Sequence, residues 1–165
     1  MEVIEESKLH ESPVGFINGW VVENGFTSIA FLGSAPPLSA AKSRDITLSD
    51  AAGMSPLELV GSALPPDCLV VSDYLESMEA EAAIQLLAGY RNALIVSVIV
   101  FVDLAASPLT AKDFVALGFH HCASFEHEAH ALHAFEYNIN SYNFRRLWNN
   151  AENWANPENF GRYWW

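Results

Sequence analysis

Apolar positions in this chain switch between a strand-like and a helix-like rhythm, and the alternation predicts an α/β fold. Ser12-Pro13 places a capping hydroxyl before a proline at the first helical position. Phe16, Ile17, Trp20 and Val21 follow at helical spacing, and Gly25 stands where a C-terminal cap belongs. Thr27 to Leu32 reads as a short strand ending at Gly33. The next stretch, Ser34-Ala35-Pro36-Pro37, is a stiff turn that starts no ordinary helix. Ile46 to Leu48 reads as a second strand, with Asp50 just beyond it, and Ser55-Pro56 repeats the helix start before Leu57, Leu59 and Val60.

After Pro65-Pro66, the segment from Asp67 to Ser72 is a continuous apolar strand. Ser77 is expected to open the clearest helix, with Glu79 and Glu81 complementing the dipole of its first turn. Its expected apolar face is Ala80, Ala83, Ile84, Leu87 and Ala88. Leu94 to Val102 is the most hydrophobic strand, the kind that is covered on both faces. Thr110 and Asp113 have capping-box spacing for a short helix through Leu117, which Gly118 terminates. Phe119 to Glu126 and Ala131 to Ile139 read as an antiparallel hairpin. The expected architecture is a Rossmann-like sheet of six strands, five parallel and one antiparallel at the closing hairpin. Helices lie on both faces, joined by right-handed crossovers.

With 165 residues, 51% of them apolar, the chain can bury a core as one domain. Twenty acidic residues against eight basic ones give a net charge of −12. That field repels nucleic-acid backbones and anionic lipid, so neither is an expected partner. Cys68 and Cys122 lie in apolar stretches and are read as reduced thiols of a cytoplasmic protein. Met1 to Glu6 is acidic and has no basic n-region, so no signal peptide is expected. The longest apolar run, Ala93 to Val102, is far short of the ~20 residues of a membrane span.

The composition changes near the end of the chain. Residues 1–140 form the expected α/β domain, and 141–165 an aromatic tail holding Trp148, Trp154, Trp164 and Trp165 beside Arg145, Arg146 and Arg162. Such a segment either wraps its own sheet or forms an interface with a second copy or another protein. The late histidines His120, His121, His127, His130 and His133 have no compact ligand spacing, and no CxxC or HExxH is present. Alternation along a strand sends His120 and His121 to opposite faces, so no metal is expected.

The candidate chemistry is positional. A first strand ends in Gly33, Asp50 lies 17 positions later after a second strand, and a third strand ends in Ser72-Asp73-Tyr74-Leu75-Glu76. In nucleotide-binding α/β folds, a glycine turn admits a ligand to the backbone and an acid about 20 residues on bonds ribose hydroxyls. Asp73 and Glu76 are either a pair for acid–base work or a solvated helix start.

These segments resemble class I S-adenosylmethionine-dependent methyltransferases. TSIAFLGSA (27–35) resembles the first motif strand, ITLSD (46–50) the second strand with its ribose acid, and DCLVVSDYLESM (67–78) the fourth strand. LIVSVIVFVDL (94–104) and DFVALGFHHCASFE (113–126) resemble the fifth and sixth strands, and ALHAFEYNI (131–139) the closing strand. The whole chain, with its ending WANPENFGRYWW, is similar to a bacterial family grouped as a domain of unknown function.

The resemblance implies Gly33 and Asp50 as cofactor-binding candidates and Asp73 as a catalytic candidate near the substrate. Two features depart from it. Gly33 stands alone before Pro36-Pro37, which removes N–H donors, and the interval from Asp50 to Asp67 is too short for another strand. The expectation is therefore a non-catalytic binding or interaction protein on a methyltransferase-like scaffold, without cofactor. The alternative is an active methyltransferase using S-adenosylmethionine.

Overall fold

Hydroxyl-and-proline helix starts, glycine stops and apolar strands divide the chain into the elements its sequence suggests. The protein is described here by a computed structural model covering residues 12–38 and 45–141. The aromatic segment from residue 142 onward, and with it the expected docking or interface role, lies outside these residues. Helix α1 spans Pro13–Asn24 and strand β1 Ser28–Gly33, followed by β2 (Thr47–Asp50), α2 (Pro56–Val60) and β3 (Cys68–Ser72). Then come α3 (Ala80–Asn92), β4 (Ser97–Asp103), α4 (Ala111–Ala116), β5 (His120–His127) and β6 (His130–Asn138).

The strands form one six-stranded sheet in the order β2-β1-β3-β4-β6-β5. β1 pairs in parallel with β2 and β3, and β3 with β4. β6 runs antiparallel between β4 and β5, so five strands share one direction and one opposes them. This is the predicted α/β Rossmann-like arrangement with its closing hairpin. Among the described residues no helix stands between β1 and β2, and only α2 intervenes between β2 and β3.

Two apolar layers cover the sheet. Phe16, Ile17, Trp20 and Val21 of α1 pack with Ile29, Val70, Ile99 and Phe101 on one face. On the other face Leu59, Ala83, Leu87 and Phe114 pack with Leu69, Val98, Val100 and Phe135. The Trp20 indole N–H donates to Glu136 Oε1 at 3.1 Å, tying α1 to β6. At the N-terminal ends of β1 and β3, Asp67 accepts from the Thr27 and Ser28 amides at 2.9 and 3.0 Å, and from the Thr27 hydroxyl. Burial pushes the Asp67 carboxyl up, but these hydrogen bonds outweigh it and hold the group below its usual value.

The caps of α1, α2 and α4 fall where the sequence puts them. Ser12 accepts from the Gly15 amide at 3.1 Å, and Gly25 ends α1 in a left-handed conformation with φ 68°. Ser55 and Glu58 form a capping box at α2, and Asp113 accepts from the Thr110 amide at 2.7 Å at α4.

The start of α3 is a correction. Ser77 does not cap it: Leu75–Ser77 is a single 3-10 turn, Ser77 Oγ donates to Tyr74 O, and the helix begins at Ala80. Its buried face is Ala83, Leu87 and Tyr90, while Ala80 and Ile84 are exposed. The stripe is rotated because Tyr90, fully buried at the far end, anchors it. β4 likewise starts at Ser97 and not at Leu94, which is exposed with φ 66° and turns the chain off α3.

Candidate functional site

Parallel strands deliver their C-terminal ends to one edge of a sheet, and open α/β folds bind ligands there, where the strand order reverses. In this chain β1 is followed by β2 on one side and, later, by β3 on the other, so the reversal lies between β1 and β3. All three candidate residues reach that edge. Asp50 ends β2 in register with Phe31, Gly33 ends β1 opposite Ser72, and Asp73 follows Ser72.

The crevice between β1 and β3 is stitched shut at this point. Gly33 has φ 82°, and an added Cβ would lie 1.9 Å from the Ser72 carbonyl oxygen. The Ser34 amide donates to that same carbonyl at 3.0 Å, and the Ser34 hydroxyl donates to Asp73 Oδ2 at 2.7 Å. Asp73 itself has φ 52°, a left-handed conformation that aspartate tolerates better than most side chains. Among the described residues of the loop after Ser34, Pro36 and Pro37 have no N–H, and the Leu38 amide is spent on Pro36 O at 2.9 Å.

The remaining candidates are also committed locally. Asp50 is exposed, and its Oδ1 accepts from the Ala52 amide at 2.9 Å. Glu76 does not join Asp73. Its Oε1 accepts from the Asp103 amide at 3.2 Å, while Oε2 is buried with no partner among the described residues. The two carboxylates therefore serve different strand ends and do not form the pair that was one of their two readings.

Next to the Ser34–Asp73 contact lies a cavity of about 200 Å³, bounded by α1, the 34–37 loop and the strand ends. Val14, Ile17, Val70, Phe101 and Leu132 make its walls apolar, and Asp73 contributes the carboxylate. No sequence pattern indicated it, because its walls come from five separate segments.

The hairpin carries a second polar group. His120 and His121 do diverge: His120 approaches Glu136 at 3.7 Å, whereas His121 stacks edge-on against Phe135. His121 Nε2 lies 3.2 Å from His133 Nδ1, and Ser124 Oγ lies 2.8 and 3.0 Å from these two atoms. The cross-strand pairing that assembles this trio was not legible in linear spacing. Among the described residues, no three His, Cys, Asp or Glu side chains are grouped to hold a metal ion. Cys68 and Cys122 are free thiols. Burial, with Glu136 nearby, pushes Cys122 up to about 12.

Burial and the neighbouring His133 lower the pKa of His121 below its ordinary 6.5. The folded chain then binds fewer protons there than the unfolded chain, so stability falls as pH drops through the ordinary histidine range. A His121→Gln variant should therefore lose less melting temperature than the parent between about pH 7 and about pH 5. Parallel melting curves in the two proteins would rule this out.

The residues 29–165 match the model of a family of unknown function, DUF6231. The chain belongs to that family. A comparison with curated proteins returned no match. Among solved structures, the chain is similar to a Nostoc punctiforme protein assigned to the O-methyltransferases, with a TM-score of 0.53 and 16% identity. That likeness covers 76% of this chain and 55% of the other, so this DUF6231 chain spans about half the length of the Nostoc protein. A magnesium protoporphyrin IX methyltransferase from Synechocystis, solved with bound SAM, is also similar, with a TM-score of 0.46 and 12% identity over 77% of this chain and 78% of the other. At 16% identity the likeness to the Nostoc protein establishes the methyltransferase-like fold alone. No helix among the described residues is long and apolar enough to cross a membrane.

Proposed function

We propose that this DUF6231 chain is a cytoplasmic binding protein on a methyltransferase-like scaffold and carries out no methyl transfer. The observation that carries this reading is the closed crevice between β1 and β3. The Ser34 amide and hydroxyl, which would face a ligand, are spent on Ser72 and Asp73. An open cofactor loop presents several N–H groups and room beside its glycines. Here two prolines and two committed amides replace them, and the adjoining cavity of about 200 Å³ is smaller than the ~300–1,000 Å³ typical of ligand pockets. The described residues at this strand edge do not fit S-adenosylmethionine.

Calorimetric titration of S-adenosylmethionine and S-adenosylhomocysteine into the full chain tests this. No saturable binding is expected at concentrations up to about 1 mM. A dissociation constant in the low micromolar range for either compound would overturn it. The second reading, an active methyltransferase, draws support from Gly33, Asp50 and Asp73 sharing one sheet edge. Under that reading Asp50→Ala should weaken cofactor binding by ~1.5–3 kcal/mol, the worth of a charged hydrogen bond.

A further inference from the structure

We propose that the cavity beside Asp73 binds a small apolar molecule carrying one protonated amine. The inference rests on the binding-protein reading and names the ligand class. Size sets the first limit. A dry cavity of about 150 Å³ accepts benzene, and drug-sized ligands take ~300 Å³ or more. A cavity of about 200 Å³ therefore suits one ring or branched chain with a short arm.

Chemistry sets the second. The walls are the apolar side chains of Val14, Ile17, Val70, Phe101 and Leu132, and Asp73 is the one ionisable side chain lining the cavity among the described residues. Among the described residues the Asp73 carboxylate accepts one hydrogen bond, from Ser34 at 2.7 Å. An ionised carboxylate offers about four lone-pair sites, so it retains capacity for an ammonium group. Asp73 is exposed, and an ammonium group at the cavity mouth would make a charge-assisted hydrogen bond with it. An anionic ligand would meet repulsion from Asp73 and from the overall charge of −12.

Preorganisation is the third argument. Pro13, Pro36 and Pro37 fix backbone torsions around the opening. The Ser34 hydrogen bond and the left-handed backbone at Asp73 hold the carboxylate in place before any ligand arrives. Little ordering is then left to oppose binding.

The probes are benzylamine, benzyl alcohol and benzoate, titrated into the full chain and followed by amide NMR shifts and calorimetry. Benzylamine should saturate one site, shifting amides around Ser34, Asp73 and Phe101. Benzyl alcohol should bind about tenfold more weakly, by the difference between a charged and a neutral hydrogen bond. Benzoate should not bind in the same range. Asp73→Asn keeps a side chain that tolerates the left-handed conformation and can still accept from Ser34, so it should fold as the parent does. It should weaken benzylamine about tenfold. Val14→Trp, at an exposed position on the cavity wall, should block the site by filling it.

Absence of benzylamine saturation below about 10 mM, equal binding by benzoate, or undiminished binding to Asp73→Asn would each overturn the proposal. Tight S-adenosylmethionine binding would sink the binding-protein reading while leaving the amine result to stand or fall on its own measurement.

Discussion

Gly33→Ala is expected to remove most of the stability of this protein. The position needs glycine twice over. Its φ of 82° is one that side-chain-bearing residues avoid, and a Cβ would sit 1.9 Å from the Ser72 carbonyl oxygen and 3.2 Å from that of Asp73. Both obstacles are backbone atoms of the neighbouring strand end, so no side chain can swing aside. Relief requires β1 and β3 to part, which breaks the Ser34 N–H to Ser72 hydrogen bond and loosens the Ser34–Asp73 contact. Backbone strain of ~1–3 kcal/mol, overpacking of ~1–3 and a lost hydrogen bond of ~1 combine to about 3–7 kcal/mol. That is comparable to the ~5 kcal/mol at the low end of domain stability. Urea denaturation should show the midpoint falling sharply with little change in slope. Gly25→Ala is the control: φ is 68°, nothing lies within 4 Å of the added carbon, and the cost should stay near ~1 kcal/mol. Equal losses in the two variants would refute the close-approach argument.

The second large effect is expected at Phe135. This β6 residue is buried at 1% exposure and stacks on Phe114 with ring centroids 4.3 Å apart and planes 7° from parallel. It joins α4 to β6 where that strand pairs with β4, and His121 rests edge-on against it at 5.3 Å. Phe135→Ala leaves a void between α4 and the strands, costing ~3–5 kcal/mol in transfer and cavity terms. Phe135→Leu, which refills much of the volume, should cost less than half as much. The alanine variant should also shift the His121 and His133 ring resonances, since it removes the surface on which their contact is built. A loss below about 1 kcal/mol would show that Phe114 and its neighbours collapse into the gap.

The contrast between those two sites matches what could and could not be read in advance. Helix starts were legible at Ser12-Pro13, Ser55-Pro56 and Thr110 because capping is local: the side chain and the amide it satisfies lie within four residues. β3 and β4 were legible as near-continuous apolar runs because both of their faces are covered. The start of α3 was misread at Ser77 because two candidate hydroxyl and acidic caps stand close together, and the buried Tyr90, thirteen residues on, fixes the phase of the helix.

By itself the sequence determined the order and kind of elements, the lone Gly33 before two prolines, and the six-stranded methyltransferase-like plan. These follow from interactions a few residues long and from burial patterns repeated along a strand. The tertiary structure alone decided that Ser34 closes onto Ser72 and Asp73, that Glu76 turns away to Asp103, and that His121, Ser124 and His133 meet across a hairpin. It also decided that Val14, Val70, Phe101 and Leu132 line one cavity. Those contacts join residues up to more than a hundred positions apart. They depend on strand order, register and a bulge between His121 and Ala123, and no local pattern encodes these.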